Sequence, residues 1–307
     1  DGAVSPERVA NGQAALAAHA GTLAAIEARY GVEKEIVVAI WGLESAYGAF
    51  RGDTPTLSAL ATLAYDGRRA AFFEDELVAA LRIVAAGEVA PGEMRGSWAG
   101  AMGHTQFMPS SYLARAVDFD GDGRRAIWGD DPADALASTA AYLAGFGWTR
   151  GQPWGVEVRL PEGFDYAATG DGTVRAVAEW QAAGVQAAAG VLPDPGAAAS
   201  VLLPAGAGGP AFLVYPNFRV IERYNAADAY VIAVGHLADR LRGLSPFRGD
   251  WPRGDRVLTH AERQELQARL TRAGFDTRGV DGRIGPNTIA AIRAFQIAQG
   301  LRPDGYA

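Results

Sequence analysis

The hydrophobic period of this chain changes twice, and that order limits what it can fold into. Apolar positions recur at helical spacing up to about Gly145. From Gly155 to Leu160 they alternate with polar ones, as in a strand, and from about Ala226 to Leu241 the helical spacing returns. A mainly α (α+β) chain, helical on both sides of a strand-bearing stretch, fits this order. Ser5 ahead of Pro6 and Glu7 reads as a helix N-cap. Further helices are predicted at about Glu33–Tyr47, 56–65, 70–86 and 132–145. Val174–Ala189 reads as another helix, the Gly-, Pro- and Ala-rich stretch 190–210 as loops, and Ala211–Tyr215 as a strand before Pro216. Residues 243–258 read as a linker. A capping box, Thr259-x-x-Glu262, then opens a helix carrying Leu266 and Leu270 that ends at Gly274. A last helix, about Asn287 to Gln299, stops at Gly300. This terminal module is too small for a large catalytic cleft.

Composition excludes several classes. A net charge of −7 argues against a dedicated nucleic-acid binder. Residues 259–307 carry seven Arg against five acids, so the acidity lies upstream. The absence of Cys removes disulfides and thiolate catalysis and leaves the redox compartment open. No apolar run reaches the roughly 18–20 residues of a membrane span. No signal peptide is visible from Asp1 on, which leaves open a leader or a lipid-anchor Cys ahead of it.

The segment Ile36 to Gly48 carries the chemistry. At helical spacing Ile36, Val37, Ile40, Trp41, Glu44, Tyr47 and Gly48 share one face, and Glu44 is its one charge. Burial among Ile, Trp and Tyr disfavours the carboxylate and raises its pKa. A carboxylic acid still protonated near neutral pH can protonate a glycosidic oxygen. The alternative is an ion pair with Arg51, Arg68 or Arg69. Downstream, Ser97 to Tyr112 combines small residues with Ser97 and Gln106 as hydrogen-bonding groups and Trp98, Met102 and Phe107 as apolar surface. That mixture suits a sugar, and equally an ordinary tight turn. Asp118-Phe119-Asp120-Gly121-Asp122-Gly123 opens like an EF-hand calcium loop, with Arg124 offering a backbone carbonyl at position 7. The usual Glu at position 12 is Gly129, and an acidic surface turn is the alternative.

At this point the chain resembles the B-type membrane-bound or soluble lytic transglycosylases of Gram-negative bacteria. The matching residues are Ile40-Trp41-Gly42-Leu43-Glu44-Ser45, Asp66-Gly67-Arg68-Arg69, Ser97 through Tyr112, Trp128 with Asp131 through Ala135, Tyr142, and Pro216 through Asn225. The resemblance implies a lysozyme-like helical catalytic domain over residues 1–242 with a small α/β subdomain inserted at about 151–216. It implies Glu44 as catalytic acid/base and sugar contacts from Arg68, Arg69, Ser97, Met102, Gln106, Tyr142, Tyr224, Asn225 and Tyr230. It makes Asp134 the closing ligand of a structural Ca2+ site with Asp118, Asp120, Asp122 and Arg124. Residues 262–305 resemble the small peptidoglycan-binding module of wall enzymes, through Leu266-Gln267, Asp281 through Gly285, Phe295-Gln296 and Asp304-Gly305. The implied partners are peptidoglycan glycan strands and other cell-wall enzymes, with no nucleic acid and no membrane span. The implied place is the periplasm of a Gram-negative bacterium.

The expected reaction cleaves the β-1,4 bond between N-acetylmuramic acid and N-acetylglucosamine. A hydrolase needs a second carboxylate roughly 5–9.5 Å from the first. No other acid lies on the Glu44 face or in the 97–112 motif, and Asp53, beside Arg51, is the nearest downstream. One acid alone favours attack by the sugar's own 6-hydroxyl and a 1,6-anhydro product, needing no catalytic cofactor. A hydrolytic muramidase using Glu44 and Asp53, and a non-catalytic wall-binding protein, are the alternatives.

Overall fold

Ser5 caps the first helix as the sequence predicts, accepting from the Arg8 N–H at 3.1 Å, and α1 runs Pro6–Ala18. The computed structural model describes residues 2–170 and 172–307. A second helix, α2 (Ala20–Tyr30), follows after the single residue His19, which bonds back to α1 and offers α2 no side-chain cap. Sequence reading missed α2 because its start carries no signal. Next come α3 (Lys34–Ser45), β1 (Thr54–Pro55), α4 (Thr56–Asp66), α5 (Ala70–Ala85) and β2 (Arg95–Gly96). The short strands pair antiparallel, with Thr54 opposite Gly96. α6 (Pro109–Arg115) and α7 (Ala133–Gly145) complete this part.

One compact unit comprises Asp1–Gly151 and Arg219–Pro246. α3 is its axis. Every residue from Ile36 to Gly42 is buried, so the helix is apolar all round and not along one stripe. It packs against α1, α2 and α7. Each large aliphatic buried here contributes about 1.5–3 kcal/mol. The helix also stops earlier than its hydrophobic pattern. Ala46 and Tyr47 take φ of 50° and 61°, so Tyr47 and Gly48 leave the Glu44 face. The Tyr47 ring folds back over Gly42, where a Cβ would lie 2.5 Å from it.

The second unit comprises Gln152–Phe218 and Phe247–Ala307. Its strands are β3 (Gly155–Arg159), β4 (Arg175–Ala176), β5 (Gln186–Ala187), β6 (Ala198–Leu202) and β7 (Ala211–Val214). They form an antiparallel sheet in the order β4-β6-β7-β3-β5. The helix expected over Val174–Ala189 is reduced to α8 (Val177–Ala182) between β4 and β5, and the expected loop 190–210 contains β6. Tertiary pairing overrides the Ala-rich pattern here, because Arg175 and Ala176 find partners in Ala199 and Ala198. Trp180 fills the core beneath the sheet and donates its indole N–H to the Ala199 carbonyl at 2.9 Å.

After the sheet come α9 (Pro216–Glu222) and α10 (Asp228–Leu241), the latter packed on α3. α11 (His260–Arg272) and α12 (Pro286–Ala298) form the terminal module, joined through Leu270, Ala291 and Ile292 with Leu266, Phe275 and Phe295 around them. The capping box is present, with Thr259 and Glu262 exchanging bonds. The expected linker 243–258 is not free from Phe247 on. Phe247 packs edge-on against Phe212 at 4.9 Å, and the Arg248 and Gly249 amides donate to the Glu157 carboxylate. Arg293 donates to Thr169 at 2.7 and 2.8 Å, tying α12 to the sheet segment. Among the described residues no helix is long and apolar enough to cross a membrane.

Candidate active site

Glu44 occupies the last turn of α3 and is half-buried. Its carboxyl accepts a hydrogen bond from the Tyr230 hydroxyl at 2.5 Å. Burial raises its pKa from 4.5 to about 7, and the Tyr230 bond pulls the other way. No neighbouring carboxylate contributes to that shift. None of the three arginines weighed as ion-pair partners reaches it among the described residues. The Arg51 guanidinium goes instead to the Trp128 and Gly129 carbonyls and to Asp130. A carboxyl with these properties is partly protonated near neutral pH, so it can both give and take a proton.

Tyr230 is fixed by its place in the first turn of α10, which packs against α3. Tyr224 is also close enough for the Glu44 charge to raise its pKa, after burial as the main cause. The Tyr224 hydroxyl donates to the Thr105 carbonyl at 2.6 Å, and its ring meets Tyr142 at 5.1 Å and Phe107 at 5.8 Å. Tyr142 spends its hydroxyl on the Arg223 carbonyl at 2.5 Å and is almost wholly buried. Phe107, Tyr142 and Tyr224 form one aromatic cluster, which Tyr224 brings within reach of the Glu44 charge.

The 97–112 motif folds into tight backbone bridges, Gly96 to Met102 and Met102 to Phe107. The Ser97 hydroxyl accepts from the Ala101 N–H at 3.1 Å and keeps its own hydrogen for a ligand. Gln106 adopts φ of 54°, and its amide N–H2 donates to the Gly103 and Arg51 carbonyls at 2.8 and 3.0 Å. Its amide oxygen is left to accept a hydrogen bond. Met102 is fully buried, so the expected apolar sugar contact is not made by its surface. Its backbone makes both bridges.

The remaining expected contacts lie on exposed turns. Arg68 and Arg69 sit between α4 and α5, with the Arg69 guanidinium 4.2 Å from the Phe72 ring centre. Asn225 is exposed and accepts from the Ala227 N–H at 3.2 Å, bracing the start of α10. Asp53 is exposed, and its carbonyl accepts from Arg95. The Arg51–Asp53 pair weighed from sequence does not form, because Arg51 reaches the 128–130 segment.

The acid loop fits a hard cation in part. Carboxylate oxygens of Asp118, Asp120 and Asp122 lie within 4.8 Å of one another, the oxygen-rich grouping that calcium takes. Gly121 and Gly123 N–H groups hold the Asp118 carboxylate at 2.7 and 3.0 Å, and the Arg124 N–H holds Asp122 at 2.8 Å. Asp134 stands apart from this cluster. It is buried, and its two oxygens accept from the Phe119 and Ala126 amides at 2.7 and 2.8 Å, bracing both ends of the loop. Oδ1 also receives the Asp120 N–H at 3.4 Å, so Oδ2 is the oxygen that retains a second lone pair.

Sequence reading did not single out His104. The ring is buried, accepts the Trp41 indole N–H at 3.2 Å and faces the Gly129 carbonyl at 2.7 Å. Its one sequence signal is its position two residues before Gln106.

Comparison with known proteins agrees with this architecture. The family model described as Transglycosylase SLT domain matches residues 1–239, and a model for a peptidoglycan binding domain matches residues 259–307. The chain is 37% identical over 240 residues to membrane-bound lytic murein transglycosylase B of Escherichia coli (strain K12), covering 76% of this chain and 64% of that relative's length. It is similar to the crystal structure of SltB3 from Pseudomonas aeruginosa in complex with NAG-NAM-pentapeptide, with TM-score 0.96 and 52% identity over 100% of this chain and 82% of that one. It is also similar to Escherichia coli lytic transglycosylase Slt35 in complex with calcium, with TM-score 0.68 and 36% identity over 78% of this chain and 75% of that one. With a family model spanning most of its length, the chain belongs to the family of the Transglycosylase SLT domain.

Proposed function

We propose that this chain is a lytic transglycosylase that cuts the β-1,4 bond between N-acetylmuramic acid and N-acetylglucosamine in peptidoglycan, with Glu44 as its one acid/base. The observation that carries this is the half-buried Glu44 carboxyl, held near a pKa of about 7 with no second carboxylate acting on it. Protonated Glu44 gives its proton to the glycosidic oxygen as the bond to the anomeric carbon breaks. The Tyr230 hydroxyl steadies the carboxylate so formed. The substrate's N-acetyl group shields the positive anomeric carbon. The muramyl 6-hydroxyl then attacks that carbon and yields its proton to Glu44, which closes the 1,6-anhydro ring and restores the acid. The nucleophile is tethered, so its effective concentration is high. A structure of SltB3 in complex with NAG-anhNAM-pentapeptide, similar to this chain at 52% identity, supports the same product class.

The finer assignments are that Ser97 and Gln106 hold the sugar, with Arg68, Arg69, Asn225, Tyr142 and Tyr224 along its path. Asp118, Asp120 and Asp122 hold a structural Ca2+, with Asp134 behind them, and the ion supplies no acid to the reaction. Residues 259–307 bind the insoluble wall, and the protein works in the periplasm of a Gram-negative bacterium. Other cell-wall enzymes are further partners. The test is digestion of wall sacs by wild type and Glu44→Gln, with the products reduced by borohydride and weighed. Anhydro-muropeptides, one water lighter and not reducible, are expected from wild type and none from the variant. Predominantly reducible muramic acid ends would favour the Asp53 hydrolase. An active Glu44→Gln would remove Glu44 as the acid.

A further inference from the structure

The end of α3 is strained. Ala46 and Tyr47 are left-handed in succession, at about 1–2 kcal/mol per residue. Such backbone persists only where its surroundings over-determine it. Many of the restraining contacts converge on His104. The Ser45 hydroxyl donates to the His104 carbonyl at 2.5 Å and accepts from the Gly48 N–H at 3.0 Å. The Trp41 indole N–H, three residues before Glu44, donates to Nδ1 at 3.2 Å. Gly48 passes so close that a Cβ there would lie 2.7 Å from Nδ1.

Two of the three ring contacts agree on the proton, and they outweigh the third, Arg51 Nη1 near Nε2, because Nη1 already donates to the Trp128 and Gly129 carbonyls. Nδ1 accepts from the indole, so the hydrogen sits on Nε2, where the Gly129 carbonyl receives it at 2.7 Å. A second proton on Nδ1 would oppose the indole N–H and place a charge beside Arg51, whose Nη1 lies 3.2 Å from Nε2. The two residues that follow His104 bond to other parts of the site. Thr105 receives the Tyr224 hydroxyl, and Gln106 is pinned to the Gly103 and Arg51 carbonyls. The ring is 3% exposed, and its nitrogens face Trp41, Gly129 and Arg51.

We infer that His104, as the neutral Nε2–H tautomer, is a positioning residue that holds the Glu44 end of α3 in register with Gln106 and Tyr224 through its bonds to Trp41 and Ser45. The inference rests on Glu44 being the acid. His104→Phe keeps the planar bulk and removes both ring bonds. Asn can bring an oxygen to the place of Nδ1 and accept from Trp41. Gln carries its amide one carbon further, toward Gly129, and leaves the indole unpaired.

The test measures kcat and KM of the full-length variants on a soluble NAG-NAM glycan and follows the Trp41 indole N–H resonance, assigned with Trp41→Phe. His104→Phe lowers kcat about 10- to 100-fold with KM within about twofold, the scale of a small misplacement of a reacting group. His104→Asn recovers most of the loss and restores the indole resonance, whereas His104→Gln does neither. Wild-type kcat in His104→Phe, equal recovery by Asn and Gln, or an indole resonance unmoved in His104→Phe would overturn the inference. If His104→Phe does not fold, the contrast of Asn with Gln decides alone. Activity in Glu44→Gln would overturn the acid reading. A normal loss in Glu44→Gln beside full activity in His104→Phe would overturn this inference by itself.

Discussion

The raised pKa of Glu44 makes a thermodynamic prediction that is independent of activity. Burial moves its pKa from 4.5 to about 7. One pKa unit corresponds to about 1.4 kcal/mol, so ionising the buried carboxyl costs about 3 kcal/mol more in the folded than in the unfolded chain. The sign follows from linkage. A carboxyl whose pKa is raised on folding gives its full contribution below the unfolded value and loses it as pH climbs through the folded value. Glu44→Gln removes the titration while leaving Tyr230 an oxygen to donate to. Wild type and variant are therefore expected to be similarly stable at about pH 4, and the variant to be more stable by about 3 kcal/mol at about pH 8. For a domain of this size the gap is roughly 6–12 °C in Tm. The assay is thermal and denaturant unfolding of both proteins across that range, where the other titrating groups cancel in the difference. Parallel loss of stability in the two proteins would mean that Glu44 ionises in the ordinary carboxylate range, and the reasoning from burial would fail.

Tyr230→Phe removes the bond that holds the Glu44 pKa down, so the alkaline limb of the kcat profile is expected to move upward while kcat falls about 10-fold; an unmoved limb would count against the pairing. Calcium is expected to raise Tm, because a ligand that binds only the native state stabilises it, and Asp120→Ala with Asp122→Ala to abolish the response; equal Tm in calcium and chelator for wild type would refute an occupied loop. Deleting residues 243–307 is expected to weaken sedimentation with wall sacs, and also to loosen residues 152–218, because Phe212 and Glu157 lose the cover of Phe247 to Gly249; limited proteolysis that cuts the truncated and full chains at the same rate within 152–218 would refute the second effect.

What the residues determine by themselves is local. Ser5 with Pro6, and Thr259 with Glu262, start helices because their side chains satisfy amides within their own first turn. A buried helix with one carboxyl near its end is legible in Ile36 to Glu44 because no other charge interrupts that run. The alternate acids of 118–122 converge because a short loop brings every second side chain to one side. What depends on distant partners was not legible. Nothing around Lys34–Ser45 announces that the helix ends at Ser45, since the stop is enforced by His104, far along the chain. β4 and β6 are too Ala-rich to show a strand pattern, and they exist because β6 finds β7 and β4 in turn finds β6. The meeting of Tyr230 with Glu44 spans 186 positions and is made by the packing of α10 on α3. Local bonding can be read where donor and acceptor lie within a turn of each other. The acid's environment, and with it a pKa of about 7, came only when the tertiary fold excluded water from around Glu44.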